Sequence, residues 1–524
     1  MEKGFAADVL GWPLSAALGL VALVQLALWL PHYLTWPYWA DHDVFVHAAR
    51  AWDLGQKPYR DVRLNNFPGT IYLFWLIGKT AGWGRPWAFH AFDAALVLAF
   101  LGGLIAWSQQ IFGRVLPGLV GGLAFLSVYL SLDYTLVAQR DWQAPCLALL
   151  ALMIAQGWPG RNGRIASALL VAMGFAIRPQ VVLFLPALLA AVTAGREVRR
   201  GAGWLAVFGG FAALMFLPLA IDGTLGDFVR SLQHVALGSR YNRTTPASVV
   251  KAWLVQAAGF RWLVVPAGIF LMRGLGGERA RVGVLPWLLA LAGASLYKPL
   301  SPMAHAYLDL PLALAWSVNL GLLAGLVIGA VPVPAAARLA GVLALLGLGS
   351  TTLRPEFCAV GPSLKAATSL RAGITPEAAP PGYRRGPVPS SAFYDWADYR
   401  DSLAYLRDHT GASTKIANAL KAGPAIVSEV DRRSSFPSES VAWLWMVAPE
   451  DEPAFVTSLQ RAGLDSVVVW SPGEAGPDPA FRTLRVDDAI RRLYALEARF
   501  GAIEVWRRRG DAAFETDPPP GSTP

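Results

Sequence analysis

Four polar residues stand close together near the start of the chain: Asp41, His42, Asp43 and His47. They follow directly on an apolar stretch, so a short tether fixes them at one depth. A carboxylate held there can act as a general base on a hydroxyl, or orient that hydroxyl, while a phosphate leaves from the other side. Two carboxylates spaced Asp-x-Asp could also hold a divalent cation, Mg or Mn, against that phosphate, with Asp41 and Asp43 as the ligands. The bland alternative is helix capping, which Asp performs well. His42 and His47 read as packing residues or supports for the carboxylates, not as metal ligands.

A phosphate leaving group needs cations. Arg140, Arg178 and Lys298, with His305 beside Lys298, are the candidates for donor-phosphate binding. Asp133, Asp141, Asp222, Arg240, Arg243 and Asp309 fall on the same side of the chain's expected topology. Ionisable residues at helix ends or inside apolar segments are costly and usually functional. Interfacial snorkelling explains any single Arg equally well.

These groups need a scaffold, and composition supplies one. The chain has 524 residues, 54% hydrophobic and 15% charged, whereas a soluble domain is about 25% charged. Gly11–Leu30 contains no charge and is long enough to span a ~30 Å hydrocarbon layer as a helix. It is followed by Trp and Tyr and not by a cleavage site, so it reads as a retained helix. Further apolar runs give about eleven crossings, near 11–30, 89–107, 115–132, 142–158, 165–177, 181–194, 205–221, 257–272, 282–296, 308–330 and 339–353. Arg178-Pro179 separates two short ones, and the proline could instead kink one long helix.

Loop charge orients the bundle. Arg114, Arg161, Arg164, Arg196, Arg199, Arg200, Arg273, Arg279, Arg281 and Arg338 fall on one side, with only Glu197 and Glu278 among them. That side is cytoplasmic by the positive-inside rule, which puts the polar loop at 32–88 and the C-terminus outside. The net charge of +9 is accounted for by these loops, so nucleic acid is not an expected partner. Trp36, Trp39, Trp83, Trp87, Trp142 and Trp158 suit an interfacial belt.

The expected organisation is a mainly α, polytopic helix bundle over 1–353, a Pro-, Gly- and Ser-rich linker over 354–392, a small extracytoplasmic α/β domain over 393–510 and a disordered tail over 511–524. Within the soluble part, KIANAL and DSVVVW predict strands, while YDWADYRDSLAYLRDHT and VDDAIRRLYALEARF have helical spacing. Phe45, Ala48, Ala49 and Trp52, and then Ile71–Ile77, predict two helices along the membrane surface.

The sequence resembles the GT-C superfamily of polytopic glycosyltransferases, in particular bacterial relatives of the protein O-mannosyltransferases and aminoarabinose transferases. The residues that carry the resemblance are Asp41-His42-Asp43, Phe45, Ala49, the run from Gly55 through Pro58-Tyr59 to Asp61, and Asn66-Phe67-Pro68-Gly69. GFAIRPQVVLFLPALL and YKPLSPMAHAYLDLPL follow in the family's order. The resemblance implies Asp41 as the catalytic base. His42 stands where many members carry Glu, which leaves Asp43 as the second carboxylate. Tyr59, Asp141 and Tyr307 are the further substrate-binding candidates. A polyprenyl-phosphate sugar donor, a glycan, lipid or protein acceptor in the cell envelope and a multi-pass location in the inner membrane are then expected. A transporter or flippase of a lipid-linked saccharide is the competing reading. It would place its ionisable groups on broken helices near mid-bilayer, whereas here they gather at one surface.

Overall fold

In the computed structural model, residues 5–62, 64, 66–130, 132, 134–193, 198–238, 247, 278–300, 306–330, 379–380, 383, 394–420, 425–436, 452–471 and 484–510 are described. The expected crossings at 257–272 and 339–353, most of the linker, the tail at 511–524, and Asp133, Arg240, Arg243 and His305 lie outside these residues.

The described residues up to 330 are mainly helical. α1 (Phe5–Tyr33) leads into a short extended segment and then α2 (Ala40–Asp53) and α3 (Gly69–Ala81), the two helices expected in the first loop. α4 (Pro86–Phe112), α5 (Leu116–Tyr129), α6 (Arg140–Gly157) and α7 (Arg161–Ile177) follow. Arg178 is extended because it precedes Pro179, as sterics at the residue before proline require. A 3-10 turn, Pro179–Phe184, then leads to α8 (Leu185–Thr193). α9 (Val198–Met215) and α10 (Leu217–Ile221) are separated at Phe216 ahead of Pro218, and α11 (Leu225–Gly238) follows. α12 (Glu278–Tyr297), a 3-10 turn at Ala306–Asp309 and α13 (Leu310–Ala330) complete the described bundle.

Two described helices, Pro13–Tyr33 within α1 and α4, are long and apolar enough to cross a membrane. Both turn apolar side chains outward, at Leu20, Leu23 and Leu98, and so do α9 and α10, at Leu214 and Ile221. Rows of this kind on several adjacent helices suit contact with lipid. Inside, α5 packs flush on α13. A Cβ at Gly321 would sit 2.6 Å from the Pro117 carbonyl oxygen and against the Gly121 backbone. Small residues at such a crossing let two backbones approach closely.

The described residues between 394 and 510 form a smaller α/β unit. α14 (Trp396–His409), β1 (Lys415–Ala419), α15 (Ile426–Glu429), β2 (Arg433–Ser434), α16 (Glu452–Arg461), β3 (Ser466–Trp470), α17 (Leu484–Leu493), β4 (Tyr494–Phe500) and β5 (Ile503–Arg508) build one sheet in the order β2-β1-β3-β5-β4. The three strands from β2 to β3 are parallel, and β5 and β4 are antiparallel additions. The helix expected through YALEARF ends at Leu493, and the rest is β4. Pairing with β5 across the turn at Gly501, whose φ is +53, overrides a composition that favours helix.

Candidate active site at one end of the bundle

α2 carries both carboxylates of the first loop. Residues two apart on a helix point about 200° from one another, so Asp41 and Asp43 face different parts of the molecule. Asp41, Phe45 and Trp52 turn towards the helical bundle. Asp43, Val46, His47 and Arg50 turn towards the α/β unit.

On the bundle side, Asp41 lies within electrostatic reach of Arg140 and Tyr307. Arg140 opens α6, with its guanidinium 4.5 Å above the Phe45 ring. Its Nη1 donates to Asn66 Oδ1, while its buried Nε has no hydrogen-bond partner among the described residues. The next residue, Asp141, is fully buried and committed. Arg178 donates to it through two nitrogens, at 2.9 and 3.0 Å, and the Tyr297 hydroxyl donates to it at 3.0 Å. The bidentate fork fixes Arg178 at the break between α7 and the following 3-10 turn. Lys298, just past α12, donates to Asp309 at 2.7 Å. Tyr307, in the turn before α13, is buried and feels Asp41, Asp141, Arg178 and Arg140 together.

The structure therefore gathers Asp41, Arg140, Asp141, Arg178 and Tyr307 into one cluster, with the Lys298–Asp309 pair on the same chain segment as Tyr307. Arg140 differs from the other two cations in having no carboxylate in a salt bridge with it among the described residues. Tyr59 stands apart. Its backbone is left-handed, at φ +67, its hydroxyl donates to the Asn66 carbonyl at 2.6 Å, and its ring packs edge-on against Phe228. It shapes the loop that presents Asn66 to Arg140.

That loop is clipped to the bundle at several points. Trp52 Nε1 donates to Asp222 at 2.8 Å, Lys57 Nζ donates to the Asp222 carbonyl at 2.9 Å, and Arg60 pairs with Asp227 at 3.0 Å. Gly69, at the start of α3, meets the end of α7, where a Cβ would lie 2.6 Å from the Ala176 carbonyl carbon. The close approach sets the loop beside Arg178.

On the other face, Asp43 is buried and accepts a hydrogen bond from the Ser428 hydroxyl of the α/β unit. Neighbouring Glu429 accepts from the Tyr38 backbone N–H at 2.9 Å. Burial pushes the Asp43 carboxyl up to about 8 and Glu429 up to about 7. Asp41 and Asp43 do not converge on one point, so the pair does not fit as a shared clamp for Mg or Mn. Among the described residues no group of three or more His, Cys, Asp and Glu side chains gathers with metal-binding geometry. His42 is a capping residue: its Nδ1 accepts from the Trp39 N–H at 3.3 Å, the return half of a capping box.

Asn66 entered the sequence reading only as part of a loop motif, with no site role, and Asp93 went unnoticed. Asp93, inside apolar α4, accepts from Tyr33 at 2.7 Å, from Trp142 Nε1 at 2.8 Å and from Tyr129. It ties α1, α5 and α6 to α4. A lone acid in an apolar run was the available signal. Trp142, expected in the interfacial belt, is instead fully buried on Asp93.

A long first helix, two shorter helices in the first loop, a helical bundle interrupted at prolines and a C-terminal sheet unit make up a fold shared with known structures. No protein-family model and no curated protein matches the sequence. Solved structures with the same fold include ArnT from Cupriavidus metallidurans in the apo state, at a TM-score of 0.58 and 14% identity, covering 94% of this chain and 98% of that one. The same ArnT bound to undecaprenyl phosphate matches at 0.58 and 13% identity, with the same coverage.

Proposed function

We propose that this chain is a membrane glycosyltransferase that moves a sugar from a polyprenyl-phosphate donor to a cell-envelope acceptor at the outer face of the cytoplasmic membrane. The observation that carries the reading is that Asp41 lies within electrostatic reach of Arg140, a carboxylate and a cation that form no salt bridge among the described residues, where the first loop joins the bundle. It is supported by likeness in fold to an ArnT that binds undecaprenyl phosphate. The eleven-crossing topology, with the α/β unit outside, belongs to the same proposal.

In this mechanism Asp41 accepts the proton of an acceptor hydroxyl. The freed oxygen pair forms a bond to the anomeric carbon, and the bond from that carbon to the phosphate oxygen breaks. The electron pair leaves with the lipid phosphate, whose added charge is taken by Arg140. Arg178, held by Asp141 and Tyr297, keeps the cluster's second positive charge in a fixed place. Preorganised charge of this kind acts in the transition state without reorganisation. Lys298, held by Asp309, is the further cation assigned to the phosphate, and Tyr307 lies within electrostatic reach of Asp41 and both arginines. No step is assigned to a divalent metal.

Mass spectrometry of envelope glycolipids and polysaccharides tests the reading. Removing the gene should delete one glycosyl modification, restoring it should bring that modification back, and the lipid-linked donor should accumulate in between. Unchanged envelope glycans and an unchanged donor pool would contradict it. A lipid-linked saccharide trapped on the inner leaflet would instead favour a flippase.

A further inference from the structure

The seam between α2 and the α/β unit contains a cleft of about 180 Å³, lined by His47, Arg50, Trp83, Lys415, Asp431, Arg432 and Arg433 among others. Four cations face one carboxylate there. Arg50 is engaged, with Asp53 and Asp431 each at 3.2 Å and the Trp83 ring 5.1 Å away. Arg432 is spent on the Thr410 and Val430 carbonyls, at 2.7 and 2.8 Å.

Lys415 and Arg433 are different. They are directly opposite one another in the parallel pair of β1 and β2, both are exposed, and no carboxylate pairs with either among the described residues. Like charges placed opposite across two strands destabilise a sheet unless an anion lies between them. Across the cleft, α2 supplies His47 and Arg50 to the lining. The His47 side chain is nine-tenths buried with its Nε2 sealed from water, so it shapes the α2 wall and leaves the charge there to Arg50.

We infer that this cleft is a second anion site, taking a phosphate group between Lys415 and Arg433 on one wall and the α2 wall that carries Arg50 on the other. It lies on the face of α2 opposite Asp41, so it holds a group other than the one that reacts. Because the phosphate bridges α2 and β2, binding ties the α/β unit to the loop that carries Asp41. The phosphate can be borne by a lipid headgroup or be a soluble phosphate ester, and the chemistry of the site is the same for both.

The test uses the full chain in nanodiscs of zwitterionic lipid, with inorganic phosphate as probe and hydrogen exchange as readout. Added phosphate should protect the peptides around Val46–Leu54 and Val427–Ser434. In Lys415→Gln/Arg433→Gln the phosphate concentration needed should rise at least about tenfold, the loss of one or two charge-assisted hydrogen bonds. Arg140→Gln, on the other face of α2, should keep the protection and so separates this site from the reactive cluster. Discs containing phosphatidic acid assign the source. Protection without added phosphate marks a lipid-borne group, and protection only on adding phosphate marks a soluble one. Exchange in α14 and β5 reports whether the double variant is folded, and Arg433→Gln alone replaces it if not. No protection with either probe, or the same phosphate dependence in wild type and variant, would overturn the inference.

Discussion

The two faces of α2 carry the same chemical group in opposite circumstances. Asp41 is half-buried beside Arg140 and Tyr307, where a charge can be used. Asp43, two residues on, is sealed against Ser428 and Glu429, and burial pushes its carboxyl up to about 8. In the proposed mechanism the first takes up the acceptor's proton, while burial favours the protonated form of the second. The difference comes from what packs on each face: a cationic helix end on one side, an acidic helix of the α/β unit on the other. Residue type and spacing alone do not distinguish them.

The largest effect should come from breaking the ion pair behind the reactive face. Arg178→Ala leaves Asp141 fully buried with its charge uncompensated, and removing one partner of a buried pair costs about 3–5 kcal/mol. Folded protein in membranes should fall sharply, as size-exclusion chromatography after extraction would register. Full recovery of folded protein would mean that the Asp141–Arg178 pair does not hold the cluster together.

Next comes Arg140. Arg140→Met keeps much of the packing over Phe45 but removes the charge. Transfer should drop about 10²–10³-fold with the protein still folded, the scale for losing one preorganised donor. A loss below about tenfold would shift the phosphate-binding role to Lys298.

The docking face should respond to pH and more mildly. Opened to water, Asp43 and Glu429 return to their ordinary values, 3.8 and 4.5. Docked, they bind protons more tightly. Their contribution is therefore complete below about pH 4, declines as pH rises through the raised values near 7 and 8, and is gone above them. Hydrogen exchange corrected for intrinsic rate should show the seam opening more at about pH 8.5 than at about pH 6. Asp43→Asn, which mimics the neutral acid, should remove most of that change. An equal change in both proteins would mean that other groups govern docking.

Much of this arrangement was legible in the sequence. The apolar runs gave the bundle, the Asp41 loop gave α2 and α3, and Arg178-Pro179 gave the break that exposes a guanidinium at a helix end. KIANAL and DSVVVW gave two adjacent parallel strands. What was not legible depends on long-range packing. Nothing near Asp43 announces Ser428, 385 positions away. Asn66 is an ordinary loop residue until Arg140 reaches it. Asp93 needed the knowledge that Tyr33, Tyr129 and Trp142 surround it. β4 has a helix former's composition, and only its partner strand decides otherwise.

The central claim is that α2 divides its carboxylates, one for chemistry and one for docking. Asp41→Asn and Asp43→Asn, compared in the same membranes at pH 7 with matched expression, test it most directly. Transfer of sugar from the lipid-phosphate donor should fall at least about a hundredfold in Asp41→Asn, the lower end of general-base contributions. It should stay within about twofold of wild type in Asp43→Asn, because an amide replaces a carboxyl that is already protonated. Near-normal transfer by Asp41→Asn together with its loss in Asp43→Asn would contradict the account.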